Sequence, residues 1–486
     1  YNPMHPETHF SYPEDNGSFA NAALRCVGVG LCRDTSSGTM CPSYMATLEE
    51  EHSTRGRARI LSEMIRGDGP IQDGFKSQEV YDALDLCLSC KGCKGDCPVH
   101  VDMATYKAEF LSKYYKGKLR PMYAYTMGLI MFHARLAQYV PRVANWMTSA
   151  PLLGDAVKKL GGIATEREMP PFATQTFKDW FEERGAVNPD APPVVLFPDT
   201  FNNYLHPETM KASTEVLEAA GYRVIVPQTP LCCGRPLYDY GMLDTAQLFL
   251  DRLVKNLAPY VREGIKVVVA EPSCIATFRD ELPNMMPHDE DAKRLTKNTL
   301  NLSEFLVQEA EDFEFPKLDR RVLVHPHCQG KAIVGMAGEQ QLMEKLGADY
   351  AVLDTACCGL AGSFGFEDEH YDLSMQIGEH KFYPTMRDAG KDTILAADGF
   401  SCKTQLGHGT DRGALHVAQV IKMAMDYGPE GPEGEYPERH YPDVVLNGDG
   451  RLREAVVLGT VTALAGGALF WMFGKTGKFN KDRARA

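Results

Sequence analysis

The chain has 486 residues, 44% hydrophobic and 24% charged, the composition of ordinary globular domains and too long for a single core. Its net charge of −14 speaks against nucleic acid as a partner, because phosphate binding needs clustered Lys and Arg. The 14 cysteines fall in tight runs and adjacent pairs, a pattern that suits metal better than disulfide cross-links. The first residue is Tyr1 rather than Met, which reads as a processed piece or one part of a longer polypeptide.

In chain order, the first run is RCVGVGLCRDTSSGTMCPSY. It holds Cys26, Cys32 and Cys41, with Val29 where a C-x2-C-x2-C step would place a ligand. The second run, CLSCKGCKGDCP, holds Cys87, Cys90, Cys93 and Cys97 before Pro98. This is the spacing of two-cluster ferredoxins, in which three thiolates wrap one cluster and the fourth reaches the other. On that logic Cys41, Cys87, Cys90 and Cys93 hold one [4Fe–4S] cluster, and Cys26, Cys32 and Cys97 are left for a second. Valine cannot coordinate iron. The second site is therefore [3Fe–4S], or [4Fe–4S] completed by water or a non-cysteine ligand, or no cluster at all with the thiols merely buried. Asp34, Ser36 and Ser37, in the insertion after Cys32, are the oxygen candidates. A zinc site is the alternative for these runs. Arg55, Arg57 and Arg59 read either as guanidinium groups beside anionic clusters or as a solvated helix face. Residues 1–115 are expected to form an α-helical, ferredoxin-like two-cluster domain, and 116–187 a helical connector. The Met and aromatic residues from Met122 to Met147 lie at helical spacing, which reads as packing rather than a quinone or cofactor box.

The turn cluster NPDAPP then opens a pattern that occurs twice. Strand PVVLFPD, a helix, strand YRVIVPQ, LCCG, a helix and strand KVVVAEPSC form the first copy, residues 188–318. Strand RVLVHPHC, a helix, strand YAVLDTACCG, a helix and strand TILAADGFSC form the second, residues 319–430. Cys-Cys pairs recurring at a near-constant offset imply a duplicated α/β unit with parallel sheets. Each cysteine falls at a strand end, where such sheets bind ligands. The second copy has Cys328, Cys357, Cys358 and Cys402 beside His325 and His327, a set for a cluster or for zinc. The first has only Cys232, Cys233 and Cys274, because FPDTF replaces HPHC. These three suit a cluster with an open iron, a metal shared with Glu271, or an unoccupied relic.

After a linker, 431–454, the charge-free stretch 455–474 is long enough to span a bilayer and is expected to be a C-terminal transmembrane helix, followed by a basic tail, 475–486. The positive-inside tendency would keep that tail in the cytoplasm and put the cluster domains outside. Cluster assembly and reducing conditions favour the opposite, so the expectation is a membrane-anchored protein with its cluster domains on the cytoplasmic side. The expected fold class is α+β multidomain: the two-cluster domain, the duplicated cysteine-rich unit, then the transmembrane helix.

Taken together, CLSCKGCKGDCP, the two CCG motifs, EPSC and DGFSC resemble the iron–sulfur half of FAD/iron–sulfur D-2-hydroxyacid dehydrogenases, over residues 20–425. The D-2-hydroxyglutarate and D-lactate types belong there, with the glycolate oxidase iron–sulfur subunit as a relative. The CCG repeats also resemble the cysteine-rich domain of heterodisulfide reductases. There an upstream Cys, a Cys-Cys pair and a terminal C-x2-C hold a noncubane cluster. Here Gly399 and Glu271 stand where the first Cys of each terminal pair would be. The resemblance implies electron transfer from a flavin through clusters to membrane quinone. The chain shows no glycine-rich phosphate fingerprint after a strand, so FAD and substrate belong to a partner subunit or a missing N-terminal half, and no catalytic residue is assigned. GLAGSFG, Gly359 to Gly365, reads as a backbone approach to metal. The alternatives are a thiol–disulfide oxidoreductase subunit and a zinc-bearing scaffold without activity.

Overall fold

The computed structural model describes residues 4–67 and 69–441. The front end is a set of short helices, among them Pro42–Thr47, Thr54–Arg66, Gly92–Asp96 and Met103–Tyr114. Ser53 caps Thr54–Arg66 by accepting from the Gly56 amide, and Asp102 caps Met103–Tyr114 in the same way through Thr105. Both helices bury an apolar stripe in one core with the front-end cysteines Cys32, Cys41 and Cys93.

Four parallel strands form the first sheet: β1 (Pro193–Leu196), β2 (Arg223–Ile225), β3 (Val267–Val269) and β4 (Thr299–Asn301), ordered β2-β1-β3-β4. A second sheet holds β5 (Arg321–Val324), β6 (Asp349–Val352) and β7 (Ile394–Ala396), ordered β6-β5-β7 and also parallel. The first strand is central in both, flanked by the second and third: Val195 pairs with Ile225 and Val267, and Leu323 with Ala351 and Leu395. The expected duplication is thus present in the topology. Helices cover both faces, so the central strands read as runs of Val and Leu rather than alternating patterns. The strand β4 was not anticipated; its counterpart in the second unit is a single bridge, Ala396 to Leu415. Val194, Leu196 and Val268 share one core with Val322, Val324 and Ile394, so the two units bury their apolar faces against common neighbours.

Two expectations need correction. Among the described residues no helix is long and apolar enough to cross a membrane. The longest, Leu243–Arg262, is amphipathic, burying Leu250, Leu253 and Leu257 while Asp251 and Arg252 face solvent. The stretch 455–474 lies outside the described residues, and the fold class stands as the helical front end with two parallel-sheet units, the transmembrane helix removed from it. Secondly, the connector buries only part of its Met and aromatic residues: Tyr123 and Met131 are buried and Tyr125 and Met127 pack on the core, whereas Met122, Phe132 and Tyr139 are exposed. The helix Pro141–Ser149 buries none of its residues, and Trp146 and Met147 are exposed.

Candidate iron–sulfur sites

All 14 cysteines are free thiols; eleven are buried, and Cys26, Cys87 and Cys97 are half-buried. In the first run Cys41 takes a left-handed conformation immediately before Pro42, which opens the helix Pro42–Thr47. Its sulfur accepts from the Thr54 amide at 2.8 Å, and Cys32 Sγ accepts from the Arg55 amide at 3.4 Å. These are the first two amides of the helix Thr54–Arg66, whose positive end favours anionic sulfur. Cys32 is brought down to about 6 by its bond with Cys41, with the Arg55 amide adding to it, while burial pushes Cys41 up. Of the three arginines, Arg57 alone turns inward. It is buried, bonds Ala83 O and Ser43 Oγ, and favours the anionic form of Cys41. Arg55 pairs with Glu50 and Arg59 with Glu63 at the surface.

Val29 is 62% exposed, in a loop where Gly28 and Gly30 both have positive φ. The side chain at the vacant ligand position therefore faces solvent. The oxygen candidates are committed to one another: Asp34 accepts from Ser36 Oγ at 2.6 Å and from Ser37 Oγ at 2.7 Å. Their loop is a strap across to the second cysteine-rich unit, where Gly38 N donates to Asp354 and His380 bonds Thr35 O.

In the second run, Cys93 accepts from the Met103 amide at 3.4 Å, and burial pushes its thiol to about 12. Cys90 lies close enough to Cys93 and Cys87 for each to oppose its ionisation, and Cys41 feels Cys93 in the same way. Cys41 thus stands beside both Cys32 and Cys93, between the two expected ligand sets. Cys90 also packs with Cys328 and Cys357 in one buried group closed by Leu88, Phe364 and Ile377.

The second cysteine-rich unit brings its four sulfurs together. Cys328 and Cys358 lie near enough to push the Cys357 thiol up, and Cys357 and Cys402 hold Cys358 well below the usual thiol range. Cys328 is the first residue of the helix Cys328–Ile333, capped by His327, whose ring accepts from the Gly330 amide. Burial takes His325 and His327 down to about 4, so both are neutral at pH 7. Gly399 is required by close approach: a Cβ there would lie 2.3 Å from His327 Cδ2. A cysteine at 399, as a noncubane ligand set demands, therefore collides with His327. Gly359 and Gly365 of GLAGSFG admit a helix: a Cβ on either would strike Ser374 of the helix Tyr371–His380.

In the first unit Cys233 Sγ lies 2.8 Å from Cys274 Sγ. Asp199 caps the helix Thr200–Tyr204 as His327 caps its own, and Thr200 takes the place of Cys328. Both oxygens of Glu271 are engaged: Oε1 accepts from Ser273 and Oε2 from the Phe400 amide of the other unit at 2.9 Å. Burial, with Asp199 nearby, pushes Glu271 up to about 7. It is a link between the units rather than a spare metal ligand. Among the described residues, no three His, Cys, Asp or Glu are disposed to hold a single metal ion.

Sequence reasoning missed the charges that clamp the second run. The Lys91 side chain is fully buried, 2.5 Å from Asp280, 3.0 Å from Glu281 and 3.3 Å from Asp102. Arg235 completes the group at 2.5 Å from Glu281 and 3.2 Å from Asp239. Asp102 belongs to the front end itself, but Asp280 and Glu281 come from the first cysteine-rich unit, which local spacing does not reveal.

The donor chemistry fits iron–sulfur clusters. Buried thiols, sulfur neighbours at contact distance, peptide N–H groups aimed at sulfur and a helix N-terminus all favour bound thiolates. Fold and sites together define an iron–sulfur protein with a two-cluster front end and a duplicated cysteine-rich domain. A family model described as a 4Fe-4S dicluster domain matches residues 22–101, and one described as a cysteine-rich domain matches 196–279 and 322–407. D-2-hydroxyglutarate dehydrogenase of Pantoea ananatis (strain AJ13355) is 24% identical over 449 residues, covering 82% of this chain and 43% of the relative. The glycolate oxidase iron–sulfur subunit of Escherichia coli (strain K12) is 22% identical over 427 residues, 84% of this chain and 95% of that subunit. A subunit of the anaerobic glycerol-3-phosphate dehydrogenase of the same strain is 27% identical over 289 residues, 58% of this chain and 72% of that subunit. The chain therefore spans less than half the length of the first of these relatives. The chain thus carries a 4Fe-4S dicluster domain and a duplicated cysteine-rich domain, and over most of its length it is similar to the first two of these oxidoreductase chains.

Proposed function

We propose that this chain carries electrons from a flavoprotein partner that oxidises a 2-hydroxyacid to a quinone acceptor. The observation that supports this most is the packing of Cys90 against Cys328 and Cys357, which joins front-end thiols to those of the second cysteine-rich unit through one buried group. Iron–sulfur clusters, when bound, supply one-electron transfer at potentials tuned by hydrogen bonds and exposure. In this reading Cys41, Cys87, Cys90 and Cys93 hold one cluster. Cys26, Cys32 and Cys97 hold a second that lacks a thiolate, a [3Fe–4S] type, since Val29 faces solvent. Cys328, Cys357, Cys358 and Cys402 form a further ligand set. Cys232, Cys233 and Cys274 form a weaker one, with Thr200 in place of the fourth cysteine. The chain's own residues orient these sulfurs: the Thr54, Arg55 and Met103 amides donate to them, and Leu88, Phe364 and Ile377 exclude water at the junction.

The test uses anaerobically reconstituted, dithionite-reduced chain mixed with a soluble quinone analogue or with a small disulfide. The quinone should restore the oxidised cluster absorbance, and Cys90→Ser should slow that recovery. Faster reoxidation by the disulfide would favour thiol–disulfide chemistry instead. Zinc in place of iron after anaerobic purification would favour the scaffold reading.

A further inference from the structure

We propose that the connector helices form a docking surface for anionic lipid membranes. Twelve of the twenty large apolar side chains exposed among the described residues fall between Leu119 and Leu160. Three helices follow one another there: Ile130–Ala137, Pro141–Ser149 and Leu153–Leu160. Phe132 and Leu136 recur at helical spacing on the first helix, and Val143, Trp146 and Met147 on the second, so each helix carries an exposed apolar stripe and not scattered positions. Apolar surface of this extent on a water-soluble face marks an interaction site.

The side chains stand out as knobs: Leu136 is 71% exposed, Tyr139 77% and Leu152 85%. Protruding side chains suit insertion among fluid acyl chains more than a fit to a rigid protein surface. Trp146 and Tyr139 supply the aromatic rings that settle at the headgroup level. The charges agree. Arg142 and Lys159 are exposed and Arg135 is half-buried on these helices, while Asp155, the one acid between 119 and 160, is paired with Lys158 at 3.1 Å. This basic, aromatic face belongs to a chain of net charge −14, so an anionic surface attracts this face and repels the remainder. The helices have eight, nine and eight residues, too short to span a bilayer; they would lie on it. Tyr123 and Ala124, at the start of the same segment, line a crevice that Cys87 also lines. That this brings a lipid-borne acceptor toward the front-end thiols rests on the electron-transfer reading; the docking itself does not.

The test reads Trp146 locally in the full chain, with Trp180→Phe and Trp471→Phe leaving it the sole tryptophan. Vesicles of phosphatidylcholine and phosphatidylglycerol should shift its emission to the blue, and brominated acyl chains should quench it. Binding to phosphatidylcholine alone should be about tenfold weaker. Leu136→Glu with Val143→Glu, at exposed positions that leave the core untouched, should abolish the shift and the quenching. Emission unmoved by either vesicle overturns the proposal, even if the protein sediments with lipid through another part of the chain. A shift produced only by the flavoprotein overturns it too and assigns this face to protein docking. Neither readout depends on cluster content or quinone turnover, so failure here leaves the electron-transfer reading to its own test.

Discussion

The two cysteine-rich units share a strand order but meet the front end by different means. The second presents sulfur, with Cys328 and Cys357 packed on Cys90. The first presents charge, with Asp280 and Glu281 closing on Lys91 one residue further along the same run. The divergence traces to a few positions. Thr200 replaces Cys328 behind equivalent helix caps, and Glu271 replaces Gly399, reaching across to the Phe400 amide of the sister unit. Duplication supplied two sites at strand ends; substitution left one as a sulfur junction and made the other a clamp.

The sharpest way to break this comparison is to remove one thiol from each unit. Cys358→Ser should lower iron content and reduce quinone-analogue turnover by more than the roughly 10- to 100-fold that loss of an outer-shell partner costs. Cys274→Ser should leave turnover within about twofold by the same yardstick. Equal losses in iron assay and turnover would make the units equivalent.

The clamp is tested by Lys91→Met. Lys94 would still pair with Asp102 and Asp280, and Arg235 with Glu281, but the buried cation between them would be gone, and unfolding by urea should show a loss of up to about 3–5 kcal/mol. Asp280→Asn added to that variant should recover part of it, whereas an unchanged midpoint would mean that the ion pairs do not hold the run.

The two contacts also differ in pH response. On the second unit's side, His370 bridges Asp85 of the front end at 2.9 Å and Glu367 at 2.8 Å. Burial lowers its pKa, but these two bonds outweigh it and raise the pKa to about 9. The folded value lies above the unfolded one, so the stabilisation is complete below about pH 6.5 and is lost as pH rises through about 9. It amounts to about 3 kcal/mol. His370→Gln should flatten the fall in stability between about pH 7 and 9 in denaturation series. A fall that persists in the variant would remove His370 as its cause.

The smallest effect tests the departure from a noncubane ligand set. Gly399→Cys should cost about 1–3 kcal/mol through its collision with His327. His327→Ala in the same chain should relieve the strain, as read by the thermal midpoint. No cost in the single variant would mean that His327 moves freely.

Much of this molecule was legible in the linear order of its residues. Cluster runs depend on local spacing, because ligands two and three residues apart must wrap one centre, and parallel strands announce themselves as short Val- and Leu-rich runs followed by helices. Every strand except β4 needed no more than that, and the cysteines at the strand ends followed from the topology of such sheets. Tertiary structure alone decided what each polar and apolar residue faces. Spacing alone offers Glu271 as a metal ligand and says nothing of Lys91, yet both are buried against partners more than a hundred residues away. The connector carries the signature of a core, yet part of it stays exposed: the helix Leu153–Leu160 packs against Pro141–Ser149 and still leaves Val143, Trp146 and Met147 exposed. Periodicity records that a helix has an apolar face, while burial of that face is a property of the neighbours that the fold brings to it.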